Sequence, residues 1–138
     1  MQMQLTLIKN TDMSATLAYK IARVVYAQTG AVSLTLVEAI TSVINNFHQK
    51  SGLPISSIVT DKNIFDVLDS SSEFHQCLSV PANNRAFQMC VRVASRMLSG
   101  GLVDTVFGAT RFHRADDMPT WARARGYIAD IDGFLFYL

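Results

Sequence analysis

The densest concentration of side-chain chemistry lies in residues 108–121, GATRFHRADDMPTW. The run holds Arg111, His113, Arg114, Asp116, Asp117 and the only tryptophan of the chain, Trp121. Arg, His and Trp together suit a sugar that carries carboxylates. An aromatic face stacks on pyranose C–H groups while a guanidinium pairs with the acid. The competing reading makes Trp121 a core plug beside a solvated cluster of charges, and both stay open at this level. Other chemistries lack a motif. There is no P-loop, GxGxxG, HExxH or GxSxG. His48, His75 and His113 are too scattered to predict a metal site, so neither a metal nor an organic cofactor is expected. Cys77 and Cys90 show no CxxC spacing. Cys90 falls among apolar helical neighbours and reads as a buried free thiol, with a single disulfide as the alternative. The acids are lopsided, nine Asp against two Glu, Glu38 and Glu73.

The elements that must display this segment read as mostly helical. Thr11 or Asp12 is the expected cap of a first helix with Leu17, Ile21, Val24 and Val25 on one face, ended by Gly30. Ser33 caps a second helix whose apolar stripe is Leu36, Val37, Ile40, Val43, Ile44 and Phe47. Thr35, Glu38, Ser42, Asn45 and Gln49 form its polar face, and Gly52 and Pro54 break it. Short helical pieces are expected around residues 55–60 and 63–68. The pattern over residues 83–98 is strongly helical, with Phe87, Cys90, Val91, Ala94 and Leu98 aligned and Gly100 and Gly101 as the stop. After Gly108 the segments GATRFHR, GYIADI and FLFYL read as short strands, with Asp132-Gly133 as a hairpin turn. The fold class predicted is α+β, a helical body with a small antiparallel sheet at the C-terminus.

A chain of 138 residues without repeat, low-complexity tract or linker predicts one domain over residues 1–138. At 49% hydrophobic and 17% charged residues it excludes a disordered chain. Twelve Lys+Arg against eleven Asp+Glu leave a net charge of +1 and no basic stripe, so nucleic acid is not an expected partner. No apolar run approaches the roughly eighteen residues that span a bilayer. The start, MQMQLTLIKNTD, has no basic n-region and only a short apolar stretch, so no signal peptide is expected. Cytoplasmic residence, another export route or a removed leader remain as alternatives.

The order of short motifs resembles the cell-wall hydrolases of the spore-cortex-lytic (SleB) type, most of all the short alphaproteobacterial versions. The matching pieces are Tyr26-Ala27-Gln28-Thr29-Gly30, the helix SLTLVEAITSVINN, Gly108-Ala109-Thr110-Arg111-Phe112-His113, Pro119-Thr120-Trp121-Ala122 and Phe136-Tyr137. They cover most of the chain, from Ala18 onward. The resemblance implies a lysozyme-like domain that cuts peptidoglycan glycan strands between N-acetylmuramic acid and N-acetylglucosamine, as a lytic transglycosylase or muramidase, at the cell wall in the periplasm. It implies a single catalytic Glu at the end of the first helix, and Tyr26, Arg111, His113 and Trp121 as substrate-binding residues. This chain carries Gln28 at the acid's position. A carboxamide has the shape of the acid but no dissociable proton, so the resemblance implies an inactive form. Two origins stay open: an isosteric replacement made to trap substrate, or a natural loss that leaves a non-catalytic peptidoglycan-binding or regulatory protein.

Overall fold

Residues 18–29 hold Ala18, Ile21, Ala22, Val24, Val25, Ala27, Gln28 and Thr29, all buried. A helix buried on so many sides must be central, and its alanines let neighbours approach closely. This is the last part of α1 (Gln2–Thr29), against which α2 (Leu34–Ser51) and α4 (Arg85–Leu98) pack. The computed structural model describes the backbone from Gln2 to Leu138 and the side chains from Thr16 onward. The helix begins at Gln2, so Thr11 and Asp12 lie inside it and do not start it. Residues 2–10 contain neither Gly nor Pro and are rich in Gln, Leu, Met and Lys, which propagate a helix readily.

Helix α2 follows its sequence signals. Ser33 is the N-cap and accepts from the Leu36 amide, and Gly52 closes the helix in the left-handed region at φ 74°. Its apolar stripe is buried except for half-buried Phe47. Ser42 is a correction: expected on the polar face, it is buried, and its hydroxyl has no partner within the protein. Helix α3 (Ile55–Ile58) is a single turn, and a further 3-10 turn covers Asp66–Leu68. Helix α4 starts one residue after its cap, Asn84. Its buried face is Phe87, Cys90, Val93, Ala94 and Met97, whereas Val91 and Leu98 are half-buried. Cys77 and Cys90 are both free, and burial pushes the Cys90 thiol up to about 12.

Strands β1 (Arg111–Arg114), β2 (Ala129–Ile131) and β3 (Phe134–Tyr137) form an antiparallel sheet in the order β1-β3-β2. Asp132 and Gly133 both have positive φ, 47° and 85°, the geometry of a tight hairpin matched to strand twist. Arg114 faces Phe134 and Phe112 faces Phe136 across β1 and β3. One sheet face therefore carries Phe112, Phe134 and Phe136 into the core, where Phe65 joins Phe112 at 5.6 Å between ring centroids. The other carries Arg111, His113 and Tyr137. The molecule is α+β. Among the described residues no helix is long and apolar enough to cross a membrane.

Candidate functional site

β1 is an edge strand, and two cavities follow one another along it. The first, about 180 Å³, is bounded by Gln28, Asp66, His113, Arg114 and Asp117. The second, about 390 Å³, is bounded by Phe47, Asp61, Thr110 and Arg111. Asn63, Ile64, Phe112 and Trp121 line both, so the two form one groove with a shared wall. A groove open along a strand edge suits an extended chain better than a compact ligand.

Gln28 reaches the groove from the core. It lies three residues after Val25 and seven after Ile21, on the helix face that packs inward. The residue is 2% exposed, and its Oε1 has no hydrogen-bond partner within the protein. The helix end beneath it is tightly held. Gly30 N donates to Tyr26 O at 2.8 Å, Thr29 Oγ1 to Val25 O at 2.7 Å, and Arg114 Nη2 to Gln28 O at 3.1 Å. The Arg114 guanidinium also lies over the rings of Phe74, at 4.5 Å, and Phe134, at 5.0 Å.

On the opposite wall, His113 is 7% exposed and both ring nitrogens are engaged. Nδ1 lies 2.6 Å from Arg114 O, an acceptor, so Nδ1 carries the proton and donates. Nε2 then accepts from the Tyr137 hydroxyl at 2.7 Å. Burial, then the neighbouring Tyr127, pushes the Tyr137 phenol above its ordinary range, which keeps that proton on oxygen. Trp121 meets both rings edge-on, at 5.0 Å from Tyr137 and 5.7 Å from His113. Arg111 covers the Trp121 ring at 3.9 Å. Burial first, and the like charge of Arg125 second, hold Arg111 below the usual arginine range.

Gln28 thus borders the same groove as Arg111, His113 and Trp121, although it lies more than eighty residues before them in sequence. Tyr26 does not join them. It lines neither cavity and packs edge-on against Phe87 at 6.2 Å, because two residues along a helix turn a side chain to another face. Asp117 lines the first cavity and Asp116 lines neither. Sequence reasoning missed Asp61, Asn63 and Asp66, which come from the connection after α3. The signal was the polar run Asp61-Lys62-Asn63 between apolar segments, a turn in which Asn63 N donates to Asp61 Oδ1 at 2.8 Å. Among the described residues no group of three His, Cys, Asp or Glu side chains converges as a metal ion requires. No family model, curated protein or solved structure matches the chain.

Proposed function

We propose that the chain binds peptidoglycan glycan strands in the β1 groove of a lysozyme-like domain, and binds them without cutting. One observation carries this reading: a buried carboxamide, Gln28, borders the groove, and its amide oxygen has no protein partner. Leaving a buried polar atom unpaired costs about 1–3 kcal/mol, a cost in stability that packing alone does not explain beside a groove. The order of motifs shared with the spore-cortex-lytic hydrolases supports the same ligand, with the cell wall and periplasm as the place of action.

Cleavage by that family's route needs one carboxyl group. It protonates the glycosidic oxygen, and the carboxylate then takes the proton of the muramyl C6 hydroxyl as the 1,6-anhydro ring closes. No second carboxylate and no water nucleophile enter, unlike the two-carboxylate glycosidases. Gln28 occupies the place of that group and performs neither proton transfer. A second reading rests on Asp66 and Asp117, which line the same cavity and are acids in their own right.

The test compares this chain with Gln28→Glu on purified sacculi, following co-sedimentation and the masses of released products. This chain is expected to sediment with sacculi and release nothing. Gln28→Glu is expected to release muropeptides, since acid–base help is worth about 10²–10⁴-fold. Equal turnover by both forms moves the chemistry to Asp66 or Asp117. Absence of co-sedimentation by either form overturns the proposal.

A further inference from the structure

The second cavity has a chemistry distinct from that around Gln28. Arg111 opens β1 and lays its guanidinium on Trp121 at 3.9 Å. Among the described residues it makes no hydrogen bond and no ion pair, whereas Arg96 pairs with Glu38 and Arg114 is tied to Gln28 O. With Cζ 3.9 Å from the Trp121 ring centroid, the guanidinium keeps N–H groups that have no partner among the described residues, and such a fork pairs two-pronged with a carboxylate. Trp121 is thereby a platform for Arg111, and the face that Arg111 covers is closed to a sugar ring.

We infer that the cavity of about 390 Å³ beside Arg111 is a carboxylate subsite, so that the groove selects glycans bearing an acid. The inference rests on the glycan reading and adds the feature recognised. Thr110 and Asn63 offer neutral donors in the same cavity. Asp61 is the opposing charge in the lining, with one oxygen already accepting from Asn63 N. A singly charged carboxylate meets less repulsion from Asp61 than a phosphate does. Along a peptidoglycan strand the acid has two sources, the lactyl group of a muramic acid stripped of its peptide and the carboxylates of the peptide stem.

Trp121 is the only tryptophan and lines both cavities, so intrinsic fluorescence reports binding in the groove, and the Arg111 variants assign the response to this cavity. Three probes are titrated: chitobiose, which is neutral; N-acetylglucosaminyl-N-acetylmuramic acid, with a free lactyl carboxylate; and the same disaccharide with an L-Ala–D-Glu stem. At least one acidic probe is expected to bind about tenfold more tightly than chitobiose, the scale of one charge-assisted pair. The tighter of the two acidic probes identifies the source of the acid. Arg111→Gln is expected to abolish the preference for the acidic probes, with circular dichroism and a cooperative urea transition showing that the variant is folded. Arg111→Lys, a charge without the planar fork, is expected to restore only part of it. Equal affinity for neutral and acidic probes, or a preference that survives Arg111→Gln, overturns the subsite and leaves the glycan reading standing. No saturable response to any of the three overturns both.

Discussion

Gln28 continues the inward face of α1 begun by Ile21 and Val25, so helical spacing alone places a polar side chain among core residues. A glutamine kept there for packing would have both ends of its amide satisfied, and Oε1 is not. Methionine has nearly the same length and shape and lacks the stranded oxygen. Gln28→Met is therefore expected to raise unfolding stability by about 1–2 kcal/mol, read from the urea midpoint, while sacculus binding falls. A loss of stability with binding intact would make Gln28 a structural residue and nothing more. His113 shows the opposite condition. Its two nitrogens are spent on Arg114 O and Tyr137, so it holds the wall in shape and has no hydrogen-bonding capacity left for a ligand.

At the scale of elements, Ser33 joins two parts of the fold. It caps α2 through the Leu36 amide, and its hydroxyl donates to Asp132 in the β2–β3 turn. Ser33→Ala removes both bonds. The expected cost is about 1–2 kcal/mol in thermal or urea unfolding, above a typical single cap, because the turn loses its tether to the helix. A cost of only a few tenths would mean that the tether to Asp132 carries no energy. Ser33, Gly52 and Asp132-Gly133 were readable as signals because each satisfies a local backbone requirement, and local requirements are written in adjacent residues. The face of α4 was not readable to the same degree. Val93 and Met97 replace Val91 and Leu98 in the core, a rotation of a fraction of a turn set by how α4 seats against α1. Tyr26 was misplaced for a related reason: motif adjacency put it beside Gln28, while helix geometry turns it toward Phe87. The polar turn at Asp61–Asn63 left a local signal, but its place in the groove wall with Asp66 did not, because only tertiary folding brings that connection to β1.

Across the whole molecule, one residue links the helical body to the sheet at the groove. Arg114 donates to the carbonyl of Gln28 on α1, lies over Phe74 in the long connection before α4, and lies over Phe134 in the central strand β3. A hydrogen bond from a charged donor contributes about 1.5–3 kcal/mol. Each cation–π contact adds about 0.5–1 kcal/mol at a partly exposed site. Arg114→Met keeps an unbranched side chain and loses the charge and the fork. The expected result is a loss of about 2–4 kcal/mol, a large share of the roughly 5–15 kcal/mol of a small domain. The loss also has an expected location. With Gln28 O released, the end of α1 is free to fray, so amide exchange at residues 28–30 should quicken more than exchange in the middle of α2. Glycan affinity should fall with it, because the groove needs Gln28 held against β1. Arg114→Lys keeps the charge and one donor, and is expected to recover part of the stability but little of the protection at residues 28–30. Uniform acceleration of exchange throughout the chain would show that Arg114 only adds to global stability. Acceleration confined to the end of α1, together with weaker binding, would show that it sets the position of Gln28 in the groove.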